Sequence, residues 1–185
     1  MPKDYATQPF NQIRRRDRAV DDEAWIKDFL HRAPDGSMAT VFGGQPFITT
    51  RNYVYDEAGR AIYLHGAKTG RFDANVKANP RVCFSVSRMG RLLPADTALE
   101  FSVEFSGVVV FGEVALVEDE EEAARGLQLL LRKYFPHLRY GQDYAPVTSQ
   151  ELKRTAVYRI DIETWSGKQK QVEDDFPGAF FYGEK

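Results

Sequence analysis

Between residues 37 and 87 the chain reads as short β-forming runs separated by tight turns, and this narrows its fold more than any other feature. Residues 37–42 and 46–55 flank Gly43-Gly44-Gln45, and residues 61–65 follow Asp56-Glu57-Ala58-Gly59. Turns this short join neighbouring strands only when those strands run antiparallel. Further strands are expected at residues 81–87, 100–117 and 156–164. In these, Val82-Cys83-Phe84-Ser85-Val86, Phe101-Ser102-Val103-Glu104-Phe105 and Val157-Tyr158-Arg159-Ile160-Asp161-Ile162 alternate in character along the strand. Gly107 and Gly112 mark bends or bulges within the second of them. About six strands with few helices describe a mainly β protein, a small antiparallel β-barrel with flanking helices. The 13 Phe and 9 Tyr suit both strands and flat binding surfaces.

Helical text is confined to four places. Asp21-Asp22-Glu23 opens a helix to about Arg32, with acids at its positive end and Ile26, Phe29 and Leu30 on one face. Residues 72–78 form a short helix that Asn79-Pro80 ends. Asp119 and the acids after it start a third, which buries Leu127, Leu130, Leu131 and Tyr134. Thr148-Ser149-Gln150-Glu151 is a capping box. Residues 1–20 are polar and read as an extended arm, residues 21–168 as one domain, and residues 169–185 as a tail packing on that domain or on a partner. Arg14-Arg15-Arg16-Asp17-Arg18 in the arm is short, interrupted by an acid and free of interleaved aromatics. It therefore reads as a solvated or subunit-clasping arm rather than a nucleic-acid site.

A net charge of −2 exerts no general pull toward nucleic acid or anionic membrane. No apolar run is long enough to span a bilayer, and Met1-Pro2-Lys3-Asp4-Tyr5 lacks the apolar core of a secretory signal. With Cys83 as the lone cysteine, an intramolecular disulfide is impossible. A reducing, cytoplasmic setting is therefore the expectation. Three scattered histidines and one cysteine form no metal-ligand cluster.

The segment Ile62-Tyr63-Leu64-His65-Gly66-Ala67-Lys68-Thr69-Gly70-Arg71 carries the clearest chemical signal. A strand stops at a histidine, passes through two glycines and two cations, and feeds a helix. Glycines allow backbone N–H groups to turn toward a ligand, and a helix start adds partial positive charge. Lys68 and Arg71 supply whole charges, a combination that suits a phosphate. The spacing is neither a P-loop nor a dinucleotide fingerprint. A strand–turn–helix corner with solvated cations remains an equal reading. His65 either bonds a ligand or moves a proton near neutral pH, or it simply bonds backbone at the strand end. Cys83, between Val82 and Phe84, reads as a buried inert thiol. His31 and His137 read as surface residues. Residues 89–98 form the longest expected loop between strands and a candidate for substrate selection.

The order of these pieces resembles the pyridoxamine 5′-phosphate oxidase-like flavoproteins with a split β-barrel, and within them the branch related to nitroimidazole-resistance proteins. The resemblance rests on Gln45-Pro46-Phe47-Ile48-Thr49-Thr50-Arg51-Asn52, then His65-Gly66-Ala67 with Gly70-Arg71, then Asn79-Pro80-Arg81-Val82-Cys83-Phe84. Val108-Val109-Val110-Phe111-Gly112 and Trp165-Ser166-Gly167-Lys168 complete it. It implies a homodimer with FMN at the subunit interface. By resemblance, Thr49, Thr50, Arg51 and Asn52 line the flavin ring and ribityl chain. His65, Gly66, Ala67 and Lys68 form the adjoining strand end, and Gly70 with Arg71 forms the phosphate turn. Trp165 and Lys168 border the flavin from the partner at the exit of the last strand. Trp165 reads alternatively as a core plug. Relatives often carry a second cation directly after the arginine, where this chain has Phe72.

The implied function is an FMN-dependent oxidoreductase passing electrons between a reduced nicotinamide, NAD(P)H, and a small nitroaromatic or quinone-like acceptor. The same barrel also suits a non-catalytic flavin-binding or sensing protein, or a protein binding haem (with His65 as the candidate ligand) or a deazaflavin.

Overall fold

The computed structural model describes residues 4–184. The first three residues of the expected arm, which also open the segment read for a secretory signal, and the last residue of the tail lie outside them. Eight antiparallel strands form one sheet with helices at its margins. In chain order these are β1 (Ala19–Val20), α1 (Glu23–Arg32), β2 (Gly36–Phe42), β3 (Gln45–Arg51), β4 (Tyr53–Asp56) and β5 (Ala61–Gly66). There follow α2 (Arg71–Ala78), β6 (Arg81–Leu93), β7 (Ser102–Leu116), α3 (Glu120–Tyr134), α4 (Ser149–Leu152) and β8 (Ala156–Lys170).

The sheet order is β3-β2-β6-β7-β8-β5-β4, with β1 added beside the far end of β8. Its two outermost strands, β3 and β4, are consecutive in the chain and joined by Asn52 alone. A flat sheet cannot place its opposite edges one residue apart, so it must curl until they meet. They meet without pairing to each other, and the result is a split barrel. Residues 46–55, expected as a single strand, therefore divide at Asn52. The exposed backbone of β4 at the split is satisfied by the C-terminal turn of α3. The Tyr134 hydroxyl accepts from the Tyr53 N–H at 2.9 Å and donates to the Pro34 carbonyl at 2.6 Å.

The interior is filled by Leu30, Met38, Tyr53, Ile62, Leu64, Phe84, Val108, Val110, Tyr158 and Ile160, among others. Full burial of one such side chain contributes about 1.5–3 kcal/mol. Ile26 and Leu30 of α1 join this core, and the Tyr53 hydroxyl donates to the Leu30 carbonyl at 2.5 Å. α3 lies outside, closing a second core over Val54, Tyr63 and Val157 with Ala123 and Leu130. Its start is capped as the acids suggest: the Asp119 carboxylate accepts from the Glu122 N–H at 2.7 Å. The Thr148–Glu151 capping box is formed. No helix of the described residues is long and apolar enough to cross a membrane.

Two strands exceed their expected length. β6 continues to Leu93, so much of the expected 89–98 loop is strand, with a register shift between Met89 and Leu92. β8 continues to Lys170, so Trp165-Ser166-Gly167-Lys168 lie within the strand rather than at its exit. Here Phe111 pairs with Thr164 and Gly112 with Ile162, leaving Glu163 as an extra residue. This bulge reverses the inward parity, from Ile160 and Ile162 before it to Trp165 and Gly167 after it. A Cβ on Gly112 would sit 2.0 Å from the Asp161 carbonyl oxygen, so glycine is what permits the bulge.

The arm is not simply extended. It carries short 3₁₀ turns at Tyr5–Thr7 and Arg16–Arg18 and enters the sheet through β1, where Val20 pairs with Gly167. The tail is held at the β6–β7 hairpin. Glu104 accepts from Arg91 Nε and Nη2, both at 2.9 Å, and from the Val172 N–H at 3.0 Å. Arg91 in turn donates to the Asp174 carbonyl at 2.8 Å. These donors, with Arg91 foremost, hold the Glu104 pKa down at about 2. A carboxylate whose folded pKa lies below its unfolded value stabilises the fold fully above about pH 4.5, and that stability is lost as pH falls toward 2. The expected outcome for Glu104→Gln is a loss on the order of 1.5–3 kcal/mol at pH 7. It should also show a shallower fall in stability below pH 4.5 than the unsubstituted chain, read by urea unfolding across pH.

Candidate functional site

The turn between β5 and α2 is pinned from below and open above. On its underside the Tyr158 hydroxyl of β8 lies 3.2 Å from Asp73 Oδ1 and 3.3 Å from the Ala67 carbonyl, with one proton to give. Burial, and then the Asp73 charge, pushes the Tyr158 pKa up to about 12, so it remains a donor at neutral pH. Phe72 meets the Tyr158 ring edge-on at 4.8 Å, and Asp73 is paired with Lys77 at 2.7 Å. Above, Lys68, Thr69, Gly70 and Arg71 are exposed. α2 begins at Gly70, with φ 125° and no side-chain cap, whereas Asp22, Asp119 and Thr148 cap the other three α-helices. Its first N–H groups thus point outward without an intrahelical acceptor.

Arg51 spans the split from the end of β3. Its Nη1 donates to the His65 carbonyl at 3.0 Å, its Nε donates to Thr49 Oγ1 at 3.2 Å, and its guanidinium lies 4.1 Å from the centre of the Phe72 ring. The crossing depends on Gly66, since a Cβ there would come within 2.7 Å of Arg51 Nη1. Partial burial lowers the Arg51 pKa. The His65 ring is reachable by solvent but shielded on its inner side. That desolvation, followed by the Arg51 charge, lowers its pKa and favours the neutral imidazole. Among the described residues, Arg51, Lys68 and Arg71 have no carboxylate within ion-pair distance. Beside the turn, His65 borders an apolar cleft of about 510 Å³ lined by Leu127, Leu130, Leu131, Tyr144 and Val147.

The structure thus gathers Arg51, His65, Gly66, Ala67, Lys68, Gly70 and Arg71, with Thr49 and Asn52 adjoining. Thr49 and Thr50 point to opposite faces of β3. Thr50 is on the outside, with its Oγ1 3.0 Å from Ser37 Oγ. Trp165 and Lys168 are elsewhere. His65 pairs with Val157, so these two residues lie eight and eleven positions further along β8. At ~3.3 Å per residue that is roughly 26–36 Å, too far to share a small ligand with His65 in one protomer. Trp165 is 8% exposed, edge-on to Tyr55 at 6.4 Å and 4.6 Å beneath the Arg60 guanidinium, so in this chain it fills the core. Lys168, three positions on, points to the other face, toward Phe105 at 5.2 Å. Tyr158 and Phe72 are the site residues that sequence reading passes over. Tyr158 looked like one more inward strand aromatic, and only its polar tip, aimed at Asp73, distinguishes it.

A family model described as pyridoxamine 5′-phosphate oxidase matches residues 22–169. No curated protein matches the chain. Among solved structures, the flavocytochrome Anf3 from Azotobacter vinelandii is 25% identical, with a TM-score of 0.74 over 89% of this chain and 77% of that one. A candidate 5-nitroimidazole antibiotic resistance protein from Bacteroides thetaiotaomicron is 19% identical, with a TM-score of 0.68 over 82% and 86%. The FAD and heme binding protein from Mycobacterium smegmatis is also 19% identical, with a TM-score of 0.73 over 84% and 74%. The last two likenesses speak for the fold, a split barrel.

The Arg51 crossing has a direct test. Gly66→Ala should push the flexible end of the Arg51 side chain off the His65 carbonyl, costing no more than that hydrogen bond, about 0.5–1.5 kcal/mol of stability. Arg51→Ala should lose more, because it also removes the bond to Thr49 and the contact with the Phe72 ring. Thermal and urea unfolding of the two variants would check the ranking.

Proposed function

The chain belongs to the pyridoxamine 5′-phosphate oxidase family, and on that premise we propose that it is a flavin-binding oxidoreductase that holds FMN with the phosphate at the start of α2. One observation carries the reading: cations without carboxylate partners surround a helix start that no side chain caps. A dianionic phosphate needs several donors, and Arg71 offers a planar fork of them while Lys68 adds a compact charge. Gly70, where an added Cβ would meet nothing within 4 Å, leaves room for the ligand's close approach to backbone.

Dimerisation completes the site in this reading. The outward residues of adjacent strands, Ile48 and Thr50, Ala39, Cys83 and Val109, carry no charge, and Ile48 is 65% exposed. Such a face suits a second copy of the sheet. It also offers a way for the Trp165–Lys168 end of one protomer to approach the α2 turn of the other, which the distance along β8 forbids within one chain.

When bound, FMN supplies the electron transfer. The chain's own residues position and screen. Arg71 and Lys68 neutralise the phosphate, Arg51 fixes the His65 backbone, and Tyr158 holds the turn against Asp73. His65, largely neutral near pH 7, is able to accept or return a proton at the mouth of the apolar cleft. The cleft suits a flat, weakly polar acceptor of the nitroaromatic or quinone class, with NAD(P)H as donor. A second reading has its own support. An imidazole facing an apolar cleft of this size also suits haem, and the likeness to a flavocytochrome points the same way.

Purified protein mixed with FMN and passed over a desalting column should retain a flavin band displaced from that of the free cofactor. Arg71→Ala should weaken FMN binding about 10- to 100-fold, the span expected for a charge-assisted phosphate contact. Unchanged affinity would remove the phosphate assignment. Retention of added haem but not FMN, abolished by His65→Ala, would establish the second reading. A separate check addresses the dimer: Ile48→Lys should shift sedimentation toward the monomer and release FMN together with it.

A further inference from the structure

A second cleft, at the opposite end of β8 from the α2 turn, combines aromatic walls with positive charge that the protein leaves uncompensated. It has a volume of about 380 Å³ and lies between α1, the far ends of β6, β7 and β8, and the tail. Trp25 and Phe29, one helical turn apart on α1, stack at 5.1 Å with their planes 14° apart and form one wall. Phe105 of β7 and Phe181 of the tail face the same space.

Arg88 and Lys170 line the cleft. Arg18, which is paired with Asp17 at 3.8 Å, and Lys168 flank it, both lying over the Phe105 ring, at 5.8 Å and 5.2 Å from its centre. The carboxylate in the lining, Glu104, is already committed to Arg91 and the Val172 N–H. Arg32 is paired with Asp28, but the Arg88 side chain has no hydrogen-bond or ion-pair partner among the described residues. Lys170 donates to the Ser102 hydroxyl, a neutral partner. Burial and the nearby Arg18 and Arg15 charges lower its pKa, as expected for a cation among cations.

We infer that this cleft binds a planar aromatic anion of nucleotide size, a purine nucleoside phosphate, with the base against Trp25, Phe29 and Phe105 and the phosphate between Arg88 and Lys170. The volume is within the ordinary range for small-ligand sites. Aromatic faces receive a base of any identity by stacking, each stack contributing about 1–3 kcal/mol. Two cations without carboxylate partners match the charge of a monophosphate. Free nucleotides and the adenylate halves of FAD or of a nicotinamide dinucleotide share this chemistry. The inference does not depend on the flavin reading. Along β8, Lys170 is fourteen positions from Ala156, or roughly 46 Å at ~3.3 Å per residue, so a ligand here is separate from one on the α2 turn of the same chain.

The test is calorimetric titration of the full chain with 5′-AMP, alongside quenching of Trp25 emission, with the Trp165→Phe background removing the other tryptophan. Saturable AMP binding is expected. It should be weakened at least tenfold by Arg88→Ala, partly restored by Arg88→Lys, and insensitive to saturating FMN. Arg88 is exposed and bonded to no other side chain, so its replacement should leave the melting temperature unchanged and affect only the ligand. FAD and NADPH titrations of the same variants identify the source. A dinucleotide that binds at least tenfold more tightly than AMP and shares its loss in Arg88→Ala assigns the cleft to that dinucleotide, and AMP as the tightest of the three assigns it to a free nucleotide. No saturable AMP binding at millimolar concentration, equal binding by the Arg88→Ala chain, or displacement of AMP by FMN would each overturn the inference.

Discussion

Everything in this molecule depends on closing a sheet whose two edge strands are neighbours in the chain. With Asn52 alone between β3 and β4, the eight strands must curl. The edges carry unpaired backbone groups that cannot remain dry and unsatisfied. The chain resolves this with two long polar side chains instead of a ladder of hydrogen bonds. Tyr134 reaches from α3 to the Tyr53 N–H, and Arg51 reaches across to the His65 carbonyl. The second of these places a guanidinium with no carboxylate partner beside an exposed turn that holds two more cations. Closure of the fold and assembly of the candidate phosphate site therefore use the same residue.

That coupling explains how much of the molecule could be read in advance. Hairpins were legible because their turns are local: Gly43-Gly44 and the 57–60 segment announce themselves without reference to anything distant. Three of the helices were legible from acids and hydroxyls at their starts, and α2 from the Asn79-Pro80 that ends it. The division at Asn52 was not, because β3 and β4 have continuous β-forming text, and only the far ends of the sheet decide where it breaks. The length of β8 was hidden for a different reason. The Glu163 bulge reverses the inward parity, so the alternation breaks at Thr164 although the pairing runs on to Lys170. The loop expected at residues 89–98 was misplaced for the same kind of cause, a register shift next to Gly90 that interrupts the pattern but not the strand.

The candidate site was legible to the extent that its chemistry is written in consecutive residues. His65 to Arg71 form one segment, and the structure keeps them together. Pairwise placements were harder. Thr49 and Thr50 are adjacent in sequence and therefore on opposite faces of a strand, so they cannot both point into one pocket. Trp165 and Lys168 share a motif-like run but diverge for the same reason, and the bulge decides which of them faces the core. The supporting residues Tyr158 and Phe72 carry no sequence signature beyond hydrophobicity, since their importance lies in what they touch.

The charge distribution divides the surface into two kinds of region. Many cations are spent on carboxylates, as in Arg159 with Glu122 and Asp161, or Arg125 with Asp56. In a chain with net charge −2, acids are in slight excess, and leaving particular cations unpaired is not forced by composition. Among the described residues, two groups of cations without a carboxylate partner stand out, Arg51, Lys68 and Arg71 around the α2 turn and Arg88, Lys168 and Lys170 around the second cleft, each next to an aromatic ring. Concentrated like charge raises the free energy of the empty protein, and an anion relieves it. The two places lie at opposite ends of β8, the strand that carries Tyr158 beneath the first and Lys170 in the second.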